Sequence, residues 1–294
     1  METYKKIIWA LCTALLLVTV AGTSYAQEGN SGLVQRAQEL GVESALLAEL
    51  QSGLEAENIS EQHFRKIVGT AIAMSEQSLP ANMVIQKALE GISKGISGDR
   101  IIPVVNHIQQ SVVKSAGVID EWMGRPEIQQ MINRTEGGMA QDEFRTKMTK
   151  VTSKSIIRNV SPEAVSNILS QISDQSLLAI ATPKDIIVAM GILPALPNAS
   201  SQPDASGKLI VRALKGGFGA DELQRLPAAL RAAQMRSQLP AASVIEGVAR
   251  QMEGNIPAKQ ILQNLFNGNI GGGPPGNIPG LGNIPDRGNK SGQK

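Results

Sequence analysis

The sequence has 294 residues, of which 42% are hydrophobic, 18% charged and only 3% aromatic, with a formal net charge of +2. So few aromatic side chains argue against an all-β fold, whose strands draw on Tyr, Trp and Phe, and against sites that stack bases or sugars on rings. The near-neutral charge supplies no field to attract nucleic acid or an anionic membrane.

Lys5 and Lys6 precede an apolar run over residues 7–20 and a small-x-small site at Ser24-Tyr25-Ala26. This three-part pattern reads as a signal peptide over residues 1–26, cleaved after Ala26, and predicts a periplasmic or secreted protein. The run falls short of the roughly 18 apolar residues that span a bilayer, and no later run reaches that length. Cys12 is the only cysteine and leaves with the leader. The mature chain therefore has no disulfide, thiolate ligand or cysteine nucleophile. Its formal charge is +1, because Lys5, Lys6 and Glu2 are removed together.

Beyond the leader the signal is helical. Residues 82–91, 209–214 and 242–252 place apolar side chains at three- and four-residue spacing, and no alternating strand pattern occurs. The segment LPANMVIQKALEGISKGISGDRII from Leu79 is echoed by LPAASVIEGVARQMEGNIPAKQIL from Leu239. Each reads as a helix, a short turn and a second helix. Second-helix starts of this kind recur at Ile59-Ser60, Ile96-Ser97, Met139-Ala140, Ala181-Thr182, Phe218-Gly219 and Ile256-Pro257. Their second members lie 37, 43, 42, 37 and 38 residues apart. An apolar residue follows each at the fourth position: Phe64, Ile101, Phe144, Ile186, Leu223 and Ile261. An apolar residue before the N-cap that packs on one in the first turn is a hydrophobic staple. Thr182-Pro183-x-Asp185 adds a capping residue, a proline at the first helical position and an acid at the third.

The fold expected is all-α: tandem helical hairpins with a period near 40 residues, as an α-solenoid-like array or an irregular bundle. The Trp and Tyr of a tetratricopeptide repeat are missing. The predicted organisation is N-terminal repeats over residues 27–193, a linker or long loop over 194–207 (PALPNASSQPDASG), C-terminal repeats over 208–266, and a disordered tail over 267–294. That tail holds nine Gly and four Pro and repeats Gly-Asn-Ile at 268–270, 276–278 and 282–284. Gly254-Asn255-Ile256-Pro257 carries the same unit at a helix start.

Catalytic signals are sparse. His63 and His107 lie far apart without acidic residues at ligand spacing, so no metal or other cofactor is expected. Ser111-Val112-Val113-Lys114 fits the Ser-x-x-Lys of penicillin-binding enzymes, but the chain has no Lys-Thr-Gly to complete it. Glu43-Ser44 resembles the Glu-Ser of lytic transglycosylases, without the aromatic sugar platform that would go with it. Trp122 and Met123, beside a turn expected at 124–126, are the candidate anchor for a partner, with packing of a half-buried turn as the plainer role. These features predict a non-enzymatic interaction scaffold or chaperone-like binder whose partner is a cell-envelope protein or peptide. A cell-wall hydrolase or transpeptidase, or a structural component held through its tail, are the alternatives.

Overall fold

The computed structural model describes residues 29–134 and 139–271. The leader and the tail beyond Gly271 lie outside these residues. The described chain is all-helical, with no strand. Two compact units divide at Ala116 and Gly117.

The first unit holds α1 (Asn30–Glu39), α2 (Ser44–Glu55), α3 (Glu61–Ser75), α4 (Asn82–Ser93) and the start of α5 (Gly98–Met123). Packing alternates along the chain: α1 lies on α3, and α2 on α4. Leu33, Leu47, Leu50, Phe64, Ile67, Ile72, Val84 and Ile85 are fully buried between them.

The second unit continues with the end of α5, then α6 (Pro126–Arg134), α7 (Gln141–Ile157), α8 (Pro162–Ile172), α9 (Gln175–Ile180) and α10 (Pro183–Ile192). It closes with α11 (Pro203–Lys215), α12 (Ala220–Ser237), α13 (Ala241–Glu253) and α14 (Ala258–Phe266). Here α7 packs on α10, α10 on α12 and α12 on α14, while α8 packs on α11 and α11 on α13. Trp122, Phe144, Ile168, Met190, Ile210, Leu223, Leu230 and Ile261 belong to one continuous apolar core.

The corners follow from local chemistry. Several helices end in a left-handed residue, at Gly41, Ser78, Gly95, Asn159, Gly217 and Asn255. In each case the next residue, Val42, Leu79, Ile96, Val160, Phe218 or Ile256, donates its N–H to a carbonyl five positions back. This 6→1 bond is the Schellman closure, which satisfies a free helix carbonyl and turns an apolar side chain inward. Side-chain caps form at some of the starts read from the sequence, Ser60 and Thr182, and not at Ala140, Gly219 or Pro257. Ser60 accepts from His63 N–H, Ser161 from Ala164 N–H with Pro162 at the first turn, and Thr182 and Asp185 form a reciprocal capping box.

Residues 194–207 differ from the linker or long loop expected of them. A 3₁₀ turn spans Leu193–Ala195, and Pro203 opens α11. Leu196, Ala199 and Ser206 are buried. Proline is compatible with a first helical turn, where no N–H is needed. Gly207 lies so close to Ile168 that a Cβ there would meet its Cγ1 at 2.4 Å. The small polar residues thus mark a close approach of helices. The tail also differs at its start, since Ile270 is packed at 9% exposure.

Candidate functional site

Trp122 and Met123, the expected anchor, are 2% and 4% exposed. The indole Nε1–H donates to Leu169 O at 3.0 Å and to Ser173 Oγ at 2.9 Å. Its ring lies 6.2 Å from that of Phe144, at a tilt of 37°. A buried indole needs such a partner for its N–H. Trp122 thus ties α5 to α8, and Met123 is buried in the same core, so neither offers surface.

Ser111 is also buried, and its hydroxyl donates to His107 O at 2.8 Å, one helical turn back, while Lys114 faces solvent. A serine nucleophile needs an accessible Oγ hydrogen-bonded to its base, and this hydroxyl has neither. Glu43 is the residue before α2, and it pairs with Asn82. Its N–H donates to Asn82 Oδ1 at 3.1 Å, and Asn82 Nδ2 donates to Glu43 Oε1 at 2.8 Å. This reciprocal pair links the starts of α2 and α4.

His63 has partners that sequence spacing could not show. Its Nδ1 is 2.8 Å from Ser60 Oγ and its Nε2 is 3.1 Å from Asp99 Oδ1, across the corner between α3 and α5. The ring sits where a Cβ on Gly98 would come within 2.1 Å of Nδ1. The residue types match a nucleophile, base and acid, but the surroundings differ. Ser60 Oγ also caps α3, and Asp99 is 91% exposed, so water screens its charge from the imidazole. The trio braces a helix corner. His107 is exposed on α5. Among the described residues, no group of three or more His, Cys, Asp or Glu is placed to hold a metal ion.

A cleft of about 190 Å³ lies between α4 and the first turns of α5. Gly91 permits this approach, because a Cβ there would touch Ile101 at 2.9 Å. Ile96, Ile101 and Val104 form an apolar floor, and Val104 is 41% exposed. Lys87, Lys94 and Arg100 stand around it with a single carboxylate, Glu90. Both lysines bond Glu90, Lys87 at 2.6 Å. These bonds, first that from Lys87 and then that from Lys94, hold the Glu90 carboxyl down at about 2. Three cations over one carboxylate leave the rim positive. Such a cleft suits an apolar side chain flanked by acidic groups. Its sequence trace is only Lys-x-x-Glu-x-x-x-Lys, which any solvated helix face could carry.

No known protein family matches this chain, and no curated protein or solved structure is similar to it.

Proposed function

We propose that this is a non-enzymatic helical-repeat protein of the cell envelope, acting as an interaction scaffold that receives segments of other envelope proteins. The observation that carries the binding role is the cleft between α4 and α5, with the exposed Val104 on its apolar floor and a cationic rim. An apolar contact framed by complementary charge gives a partner both affinity and orientation.

The repeat reading draws support from features that do not depend on choosing sequence matches. Left-handed turn residues Gly41, Ser78, Asn159, Asn198 and Gln238 fall 37, 81, 39 and 40 positions apart. A second set, Glu57, Gly95, Gly217 and Asn255, falls 38, 122 and 38 apart. The longer gaps are close to two and three periods of 40. Four polar contacts between helices fall near the same interval, 40 for Arg36–Glu76, 39 for Glu43–Asn82, 36 for His63–Asp99 and 41 for Lys215–Asp174, while those of Arg145, Arg134 and Trp122 fall at 25, 44 and 47. Stacked hairpins place equivalent residues one repeat apart in this way. Export rests on the leader pattern of residues 1–26.

The binding role is tested by placing a photo-crosslinking residue at Val104 and, as a control, at the exposed Glu121 in cells. A discrete adduct with one envelope protein at position 104, weakened by Lys94→Glu with Arg100→Glu, supports the scaffold. Equal, diffuse adducts at both positions reject it. Fusion of residues 1–26 to a phosphatase active only outside the cytoplasm tests export.

A further inference from the structure

Four residues past the last helix, the chain folds back onto α13. Ile270 packs against Gly247 so closely that a Cβ on that glycine would lie 2.1 Å from Ile270 Cγ2 and 2.7 Å from its carbonyl oxygen. Beside it stands Gln251, only 2% exposed. Its Nε2 donates to Ile270 O at 3.0 Å and to Asn269 O at 3.3 Å. Asn264 Nδ2 donates to Gln251 Oε1 at 2.9 Å, which sets the amide so that its donor faces the peptide. Asn269 N–H closes onto Asn264 O at 2.8 Å. Gly268 has φ +80° and lies against Arg236, where a Cβ would sit 2.9 Å from the Arg236 Cβ.

Two parts of this niche read the peptide: Gln251 takes two successive carbonyls and Gly247 leaves room for the Ile side chain. Gly268, with its left-handed φ, and the Asn269 N–H on Asn264 O are the residue and the 6→1 bond that close α14 itself, as at the other corners. The two carbonyls that follow satisfy a buried amide that would otherwise lack partners. The third side chain fills a space that Gly247 keeps open. The sequence Gly-Asn-Ile recurs at residues 276–278 and 282–284.

We propose that the niche formed by Gly247, Gln251 and Asn264 is a recognition site for Gly-Asn-Ile segments, and that its further occupants are residues 276–278 and 282–284 of the same chain. The three copies compete for one niche. Docking of 276–278 loops out about eight more residues than docking of 268–270, a closure penalty of about twenty-fold at equal contacts. The copy at 268–270 therefore holds the niche at rest, and the others occupy it when that copy is removed. A second molecule supplies the same peptide only at its bulk concentration, far below the millimolar level of a short tether.

The test uses the full chain with p-benzoylphenylalanine in place of Pro279, just after the second copy. Irradiation followed by peptide mapping reads adducts to α12 and α13 within the monomer. Ile270→Asp is expected to raise their yield by about ten-fold, because the twenty-fold bias is removed. Adding Ile278→Asp should return it to the starting level. An unchanged yield in Ile270→Asp, a rise that survives Ile278→Asp, or adducts confined to dimers would overturn the proposal. If Ile270→Asp disturbs folding, Ile270→Ala gives the same reading, since it also empties the side-chain space.

Discussion

Asp185 offers the sharpest test of how neighbouring helices are joined. One oxygen, Oδ2, accepts from Thr182 N–H at 3.0 Å and from the Thr182 hydroxyl at 2.6 Å. The other, Oδ1, accepts from Ala220 N–H at 2.7 Å, in the first turn of α12. A single carboxylate thus completes the capping box of α10 and satisfies an unpaired amide of the helix packed beside it. Loss of one capping side chain costs about 0.5–2 kcal/mol. Asp185→Ala removes two such functions and should cost about 2–3 kcal/mol on that basis. Asp185→Asn keeps one accepting oxygen and turns an NH₂ toward a donor, so it should lose at least half as much. The assay is urea unfolding followed by Trp122 fluorescence in a Trp9→Phe background, because Trp122 lies in the same unit as Asp185. With a slope near 2 kcal/mol per molar, the Asp185→Ala midpoint should fall by about 1 M. A shift below about 0.3 M, or an Asp185→Asn variant as stable as the parent, would refute the double-capping argument.

Gly98→Ala places a methyl group on the His63 ring and should destabilise the first unit by about 1–3 kcal/mol, the usual range for overpacking. In His63→Ala the same substitution should cost almost nothing, and thermal melts of the four-member cycle read the difference. Thr149, Thr152 and Ser155 on α7 are buried with hydroxyls that have no partner. Thr152→Val should therefore stabilise the second unit by about 1 kcal/mol, raising Tm by about 2–4 °C; a lower Tm would show that the hydroxyl is satisfied. The Glu90 carboxyl should titrate at about 2 by NMR, and Lys87→Gln with Lys94→Gln should move it up toward the ordinary carboxylate range. Since the folded value is the lower one, this contribution is complete above the unfolded value of about 4.3 and fades as pH falls toward 2. Glu90→Gln should flatten that part of the acid-unfolding curve at low salt, and an unchanged curve would rule the linkage out.

Helix class and corner chemistry were legible because they are local. Phe64, Phe144 and Ile186 follow their caps by four positions, and all three are fully buried. The Thr182–Asp185 box could be read from four residues. Its second role could not, because Ala220 is 35 positions away and no short-range pattern announces it. The turn after α5 falls at Gly124 as the sequence indicates. Which side of the helix Trp122 faces depends on where Leu169 and Ser173 pack, and that is a tertiary fact. Residues 194–207 hold an irregular stretch only over 196–202, for a related reason. Proline, serine and glycine favour turns, yet they also suit a helix start and a tight crossing, and only the position of Ile168 decides between them. The peptide niche was invisible because Gln251 looks like any polar residue on a helix until Asn264 and Ile270 converge on it.

In the second unit each helix packs on helices at most three positions away along the chain. Contacts between helices in this unit are therefore short-range along the chain, although they share one apolar core. The final pair, α13 and α14, packs on α11 and α12, and Gln251 holds Ile270 against it. Three residues of irregular chain that no helix contains thus add two hydrogen bonds from a buried amide and an apolar contact to the last hairpin.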